Sequence, residues 1–123
     1  MRLTYRFDCL DGRCLFQADD KDGLIAYGFE TDIAELDNVS GQLNDQDSEK
    51  FRQELARAGI ERWDREYQPV LSAIEDAVKW EVEYEKDGKV YCSKGEETYE
   101  PYDYFHLVDA LALCSPKADY FRI

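Results

Sequence analysis

The sequence predicts an α+β fold, in which an antiparallel sheet carries helices packed on one face. The first observation is strict alternation of apolar residues with glutamates from 80 to 85, followed by an Asp87-Gly88 pair. This pattern is typical of a β-hairpin, here at about 79–94, with one buried face and a type I′ turn. The second observation is helical spacing of apolar residues, which predicts helices at about 48–67 and 101–114.

The N-terminal part of the chain predicts a three-stranded meander. Leu3, Tyr5 and Phe7 alternate with polar residues, and an Asp11-Gly12 turn follows them. A second strand then returns antiparallel to the first. After a turn made by residues 19–23, the apolar run that begins at residue 24 predicts the third strand. The meander and the later hairpin together supply the predicted sheet.

Residues 30–47 are rich in Asn, Ser, Gly and Asp, and we expect a loop with one helical turn at most. The helix at 48–67 is expected to begin after an Asp47 N-cap and to change axis at Gly59, where a glycine commonly ends a helix. Its buried side is predicted to consist of residues at helical spacing: Phe51, Leu55, Ala58, Ile60, Trp63 and Tyr67.

The last helix is expected to begin at Pro101, because proline suits the first helical position. Its predicted buried side consists of Phe105, Val108, Leu111 and Ala112. A further helical piece is predicted at about 70–77 from its apolar spacing. Beyond Pro116, the tail is expected to add an apolar contact through Tyr120, Phe121 and Ile123.

Length and composition predict one domain, 1–123, located in the cytoplasm. Aromatic residues make up 14% of the chain, which argues against disorder. No apolar run approaches the roughly 20 residues that span a bilayer, and the N-terminus does not resemble a signal peptide. The four cysteines lack the close pairs of zinc sites, so we expect buried free thiols at Cys9, Cys14, Cys92 and Cys114.

Acidity is the dominant compositional feature of the chain. The formal net charge is −13, and residues 19–50 alone hold ten acidic and two basic residues. Such a chain is repelled by nucleic acid and by anionic membranes, so neither is an expected partner. If charge selects the partner, that partner is basic.

The sequence offers little for catalysis, and we predict that the protein is not an enzyme and holds no cofactor or metal. His106 is the only histidine, so no Ser-His-Asp or His-Glu-x-x-His arrangement can be formed. We expect His106 to complete packing or a surface contact. A cysteine paired with His106 is the remaining enzymatic alternative.

Alternating glutamates on the predicted hairpin are candidates for binding. Glu81, Glu83 and Glu85 would project from one face at intervals of about 6.6 Å, roughly twice the 3.4 Å rise per phosphate on one DNA strand. The remaining predicted partner-binding residues are Asp19, Asp20, Asp22, Asp32, Glu35, Asp37, Glu96, Glu97 and Glu100. The alternative is a solvated face whose glutamates pair with cross-strand lysines at positions 86, 89 and 94.

From Ile60 onward the spacing of structural residues resembles that of a widespread family of small uncharacterised bacterial and phage-borne proteins. The residues that carry the resemblance are Ile60, Trp63, Tyr67, Trp80, Gly88, Gly95, Tyr99, Pro101, Phe105 and Leu107. The resemblance implies a Trp-led hairpin followed by a helix opened by proline, and it implies no catalytic residue. This sequence departs from the family pattern at residues 96–100, where it is strongly acidic.

Two functions are consistent with these features. The first is a non-enzymatic protein that binds and blocks the basic, nucleic-acid-binding surface of a partner protein. A short, acidic, aromatic-rich chain is similar in profile to phage-borne inhibitors of defence nucleases of the anti-CRISPR kind. The alternative is a small interaction or immunity-type protein that recognises its partner through exposed aromatics, with acidity serving solubility. The candidate aromatics are Tyr99, Tyr102, Tyr104 and Tyr120.

Overall fold

The computed structural model describes residues 1–68, 78–96 and 101–122. Within them, seven strands form one mostly antiparallel sheet and two α-helices cover one of its faces, which confirms the α+β prediction. The strands are β1 (Arg2–Cys9), β2 (Gly12–Lys21), β3 (Leu24–Thr31), β4 (Ser40–Gln42), β5 (Glu66–Tyr67), β6 (Lys79–Lys86) and β7 (Lys89–Glu96). The helices are α1 (Asp45–Ala58) and α2 (Tyr104–Ala112).

Strand β1 joins the N-terminal meander to the later hairpin. The strand order is β4-β3-β2-β1-β6-β7-β5, so β1 pairs with β2 on one side and β6 on the other. Tyr5 lies opposite Phe16 of β2 and Val82 of β6. The two regions predicted separately from the sequence therefore form one continuous sheet.

Two of the hairpin turns have a left-handed backbone, which was predicted for the one at Asp87 and Gly88. Asp87 and Gly88 have φ angles of 53° and 78°, which identifies the type I′ turn between β6 and β7. Asp22 and Gly23, with φ angles of 56° and 84°, make the same kind of turn between β2 and β3. The predicted turn at residues 19–23 was too long, because β2 continues to residue 21 before the chain reverses.

The core lies between the helices and one face of the sheet. Trp80, Val82 and Tyr84 are buried, as the alternation predicted. They belong to a cluster that includes Leu3, Tyr5, Phe7, Phe16, Ile25, Phe51, Leu55, Leu107, Leu111 and Phe121. The apolar contact predicted for the tail is confirmed, since Phe121 is buried and lies in a 3₁₀ helix over Ala118–Arg122. Position 123 lies outside the described residues.

The helix predicted at 48–67 is wrong in its second half. Helix α1 begins at Asp45, and its N-cap is Asn44 rather than Asp47. It ends where Gly59 adopts the left-handed conformation, with a φ of 61°. A 3₁₀ turn and strand β5 follow, because extended backbone brings Trp63 and Tyr67 against Trp80, at ring-centroid distances of 5.9 and 6.1 Å.

The second helix also differs from its prediction. It begins at Tyr104, not at Pro101, whose carbonyl instead accepts a turn hydrogen bond from the N–H of Tyr104. Phe105 and Ala112 are exposed, contrary to prediction, whereas Val108 and Leu111 are buried as predicted. The buried side of the helix also includes Tyr104, Leu107 and Ala110, which were not predicted to be buried. Tyr104 is accommodated in the core because its hydroxyl hydrogen-bonds the hydroxyl of Tyr5.

Residues 30–47 are mostly loop, as predicted, but helix α1 already begins at Asp45 and two strand segments lie within the range. Strand β3 continues to Thr31, and β4 pairs with β3 through three exposed residues. All three residues of β4 are exposed, so its sequence has no alternation of apolar and polar residues that would predict a strand. The helical piece predicted at about 70–77 lies outside the described residues.

Candidate functional site: an acidic end of the sheet

The open face of the sheet carries charges of alternating sign instead of an acidic ladder. Arg2 lies between Asp19 of β2 and Glu85 of β6. Glu81 is flanked by Arg6 on β1 and Lys94 on β7. Directly opposed residues in a sheet have Cβ atoms about 5 Å apart, so these cations offset the carboxylates beside them.

Glu83 and Glu96 complete the predicted residues on this face. Glu83 has Thr4 and Cys92 as its direct neighbours. Glu96 forms an ion pair of 3.9 Å with Lys79. The register therefore favours the solvated, mixed-charge alternative for the sheet face over a carboxylate ladder that resembles DNA.

A concentration of acids does occur at one end of the sheet, where the β1–β2 turn meets the loop after β3. We call this region the acidic end and define it by Asp8, Asp11, Asp32, Glu35 and Asp37. Antiparallel pairing creates it, because β2 begins at the same sheet end at which β1 and β3 finish.

Main-chain hydrogen bonds fix Asp32 within the acidic end. Its Oδ1 accepts a 2.7 Å hydrogen bond from the N–H of Arg13, and its own N–H donates to the carbonyl of Arg13 at 3.2 Å. The hydroxyl of Thr31 donates to the same carbonyl at 2.7 Å. Gly12 has a φ of 137°, and a Cβ there would overlap the Asp32 carboxylate. Glycine at this position allows the turn and the loop to meet.

The acidic end contains more carboxylates than cations. Arg13 Nε lies 3.4 Å from Asp8, and Lys117 Nζ lies 2.9 Å from Asp37. Both pairs are solvent-exposed, and such pairs contribute little stability. Within the described ranges, Asp11, Asp32 and Glu35 form no ion pair. Three carboxylates therefore make no ion pair within the described residues, although the main chain of Arg13 lies beside Asp32.

Two further side chains shape the acidic end. The hydroxyl of Tyr120 donates a 2.7 Å hydrogen bond to Asp11 Oδ2 and lies 3.4 Å from Cys9 Sγ. Leu10, at the tip of the β1–β2 turn, is 76% exposed. An apolar side chain inside a charged rim is a common arrangement in protein interfaces. The acidic end therefore offers both carboxylates and an apolar contact.

The predicted acidic residues fall into separate places. Asp32, Glu35 and Asp37 belong to the acidic end, whereas Asp8 and Asp11 were not predicted to bind. Asp8 and Asp11 could have been predicted from the expected pairing of the β1–β2 hairpin with β3, which brings the β1–β2 turn beside the end of β3.

The other predicted acids lie elsewhere. Asp22 occupies the turn at the opposite end of β2, and Asp20 pairs with Arg52 at 2.7 Å and with the N-terminal amine at 3.6 Å. Asp19, Glu81, Glu83, Glu85 and Glu96 lie on the open face. Glu97 and Glu100 lie outside the described residues.

One cluster has the composition of a metal site. Glu54, His106 and Asp109 each place a ligand atom within 4.8 Å of the others, and His106 Nδ1 lies 3.1 Å from Glu54 Oε2. Arg57 binds the second oxygen of Glu54 at 2.6 Å, and Arg122 binds Asp109. Two guanidinium groups repel a cation, so the cluster is better suited to a hydrogen-bonded connection between α1 and α2 through Glu54 and His106.

The buried thiols are poorly suited to nucleophilic chemistry. Burial raises the pKa of Cys14 to about 11 and that of Cys114 to about 12. Both thiols are therefore protonated at neutral pH, whereas the thiolate is the reactive form. Cys9 is half-buried and Cys92 is exposed, so the predicted burial holds for two of the four cysteines.

The predicted interface tyrosines differ in exposure. Tyr102 is 81% exposed, and its ring packs edge-on against that of Phe105, which is 43% exposed, at a centroid distance of 5.9 Å. Tyr104 is buried, which removes it from the candidates, and Tyr120 is half-buried. Tyr99 lies outside the described residues. Among the described residues, the most exposed candidates for the aromatic alternative are therefore Tyr102 and Phe105.

Comparisons with known proteins assign no family or function. The sequence matches no protein-family model and no curated protein. In the described part of the chain, no helix is both long and apolar enough to cross a membrane.

Proposed function

We propose that this chain is a non-enzymatic protein that binds a basic surface of a partner protein through its acidic end. The observation that carries the proposal is the group of carboxylates at one end of the sheet, of which Asp11, Asp32 and Glu35 form no ion pair among the described residues. A cationic partner would supply the missing charges. The formal net charge of −13 adds long-range attraction, which speeds encounter with such a surface.

The best candidate for that surface is one that otherwise holds nucleic acid. Nucleic-acid-binding proteins present clustered lysines and arginines to phosphates, and an acidic protein competes for the same groups. Binding would then exclude DNA or RNA from the partner. Nucleases of prokaryotic defence systems are the first partners to test, with this chain acting as their inhibitor.

The preformed geometry of the acidic end supports this role. Hydrogen bonds from Arg13 and Thr31 hold the loop that carries Asp32 before any partner arrives. Preorganised groups lose less conformational freedom on binding. Leu10 adds an apolar contact that the partner can bury.

Competition with nucleic acid tests the proposal. The tagged protein is incubated with a purified nuclease panel at 50, 150 and 500 mM NaCl (each salt concentration about threefold apart), with and without a duplex oligonucleotide. The proposal predicts retention of a nuclease that salt and DNA both release. A nuclease retained equally at every salt concentration and in the presence of DNA would contradict it.

A second candidate function depends on the exposed Tyr102–Phe105 pair. Adjacent exposed aromatics are common at the centres of interfaces. This kind of binding should depend little on salt, and replacement of both aromatics by alanine would abolish it. The same replacement would leave binding through the acidic end unchanged.

A further inference from the structure

Within the described residues, the outer edge of β7 has a neighbouring strand over only a short part of its length. Strand β5, its partner on that side, pairs only with Lys94 and Gly95. From Lys89 to Ser93, the described partner of β7 is β6 alone. An open strand edge presents main-chain groups that another strand can use.

The hydrogen-bond pattern identifies which main-chain groups face outward. The N–H of Lys94 donates to the carbonyl of Arg65 at 3.0 Å, so the main-chain groups of Lys94 point away from β6. Main-chain groups alternate in direction along a strand, so those of Val90 and Cys92 also point outward. No hydrogen bond to either is found among the described residues. Within the described part of the chain, two donors and two acceptors are therefore unused.

Space for another strand lies beside this edge. A groove of about 590 Å³ runs along residues 90–94 and is bordered by Ile60, Glu61, Trp63 and Arg65. Val90, on the open face of the sheet, is 55% exposed, and Cys92 beside it is also exposed. The edge therefore combines unused main-chain groups with an exposed apolar side chain.

We propose that a second copy of this chain pairs its own β7 with this edge in antiparallel orientation, which forms a symmetric dimer with a continuous sheet. The main chain of Lys94 already pairs with the β5 segment. A second copy can therefore pair only with the residues that precede Lys94, which restricts the register of the two-fold pairing. That register places Val90 opposite Cys92 of the second copy, and Tyr91 opposite its own equivalent. Each Val90–Cys92 pair then exchanges two main-chain hydrogen bonds.

This register is also complementary in charge and polarity. It places Lys89 of the second copy opposite Ser93, where Glu61 borders the groove. Val90 and Cys92 of the two copies lie side by side on the open face. A second copy thus provides an apolar contact and a countercharge for Glu61, and two-fold symmetry repeats both.

Dimerisation should respond to salt in the opposite sense to partner binding through the acidic end. Two chains of formal charge −13 repel each other, and salt screens that repulsion. We therefore expect a larger dimer fraction at 500 mM than at 50 mM NaCl, a tenfold change in ionic strength that shortens the Debye length about threefold. Binding of a basic partner through the acidic end weakens under the same change. The two opposite salt dependences therefore distinguish failure of the dimer proposal from failure of the proposed partner binding.

Sedimentation equilibrium of the full chain, with Val90→Pro and Val90→Thr variants, tests the dimer. Proline removes the outward N–H of residue 90, which β6 does not use, so the folded monomer tolerates it. The wild type and Val90→Thr should dimerise with increasing concentration, whereas Val90→Pro should remain monomeric with an unchanged circular dichroism spectrum. A wild type that is monomeric up to about 1 mM at both salt concentrations would overturn the proposal.

Cross-linking gives a second readout that does not depend on proline. In a hydrogen-bonded antiparallel pair the opposed Cα atoms are about 5.5 Å apart, within disulfide range. The variant Val90→Cys should therefore form a disulfide-linked dimer with native Cys92 on mild oxidation. The Cys92 residues of two wild-type copies lie diagonally, beyond the roughly 7 Å limit, and should not link. Adding Cys92→Ser should abolish the link; a Val90→Cys variant that stays unlinked would contradict the register.

Discussion

The main-chain N–H of Arg13 donates a 2.7 Å hydrogen bond to Oδ1 of Asp32, and the N–H of Asp32 donates to the carbonyl of Arg13 at 3.2 Å. This reciprocal pair connects the start of β2 to the loop after β3. It holds together carboxylates that are far apart in the sequence. The acidic end is therefore a product of sheet pairing, and its geometry is set before binding.

Replacement of Gly12 by alanine should destabilise the protein. A Cβ would overlap the Asp32 carboxylate, and the φ of 137° suits glycine alone. We expect a loss of about 2–3 kcal/mol in the free energy of unfolding, measured by urea denaturation. Gly23→Ala is the matched control, because its φ is also positive but its Cβ would meet open space. Equal losses for the two variants would show that Asp32 does not constrain the turn.

The Tyr5–Tyr104 hydrogen bond should show coupling between its two partners. The hydroxyls meet in the core, and Tyr104 also donates to the carbonyl of Phe121 at 3.3 Å. Tyr104→Phe leaves the buried Tyr5 hydroxyl without that partner and should cost about 1–3 kcal/mol. Tyr5→Phe combined with Tyr104→Phe should cost less than the sum of the single changes. Additive losses in a double-mutant cycle of thermal or urea unfolding would argue against the bond.

The four cysteines should react with a thiol reagent at very different rates. At pH 8, exposed Cys92 should react within the folded protein. Cys14 and Cys114 should react only after unfolding, since burial raises their pKa values to about 11 and 12. Titration with Ellman's reagent, with and without urea, measures this difference. Fast reaction of Cys114 in the folded state would show that α2 does not protect it.

Alkaline pH should reduce stability through the same buried groups. Burial, together with nearby carboxylates such as Glu61, raises the pKa of Tyr84 to about 12. The unfolded state loses these protons first, so it binds fewer protons than the folded state as pH rises above about 9. Stability is therefore fully present below that pH and is lost towards about 12. Urea midpoints that stay constant from pH 8 to pH 11 (roughly spanning the unfolded thiol pKa) would contradict this expectation.

The cluster of Glu54, His106 and Asp109 should behave as a hydrogen-bonded connection and not as a metal site. His106→Ala should cost up to about 1 kcal/mol, because it removes one hydrogen bond between partly buried side chains. Zinc should leave the melting temperature unchanged, since Arg57 and Arg122 already bind the carboxylates. A rise on addition of zinc that disappears in His106→Ala would identify a metal site instead.

The sequence was sufficient for local features of the fold. The alternation of apolar residues and glutamates around Trp80 predicted β6, because one face of that strand is buried and the other is exposed to solvent. Strand β5 was missed for a physical reason: Trp63 and Tyr67 have helical spacing, yet both pack on Trp80 from an extended chain. Tertiary packing there outweighed the local pattern.

The candidate site was harder to predict than the fold. Asp32 was predicted from local charge density, but its proximity to Asp11 depends on pairing between the first three strands. Conversely, Glu81 and Glu85 formed a clear pattern in sequence, and the register placed Arg2, Arg6 and Lys94 beside them. Net charge along the chain does not reveal which opposite charges a sheet will bring together.

Neutralisation of the acidic end tests whether its carboxylates bind the partner. The variant Asp11→Asn, Asp32→Asn, Glu35→Gln keeps side-chain shape and the acceptor for the Arg13 N–H, whereas Asp22→Asn, Glu49→Gln, Asp87→Asn makes the same charge change elsewhere. Affinity for the nuclease retained in the competition experiment is measured by titration at about 150 mM salt. We predict about tenfold or greater weakening for the first variant and less than threefold for the second, given about 0.2–1 kcal/mol per exposed charge pair. Equal weakening by both variants, or none by either, would contradict the account.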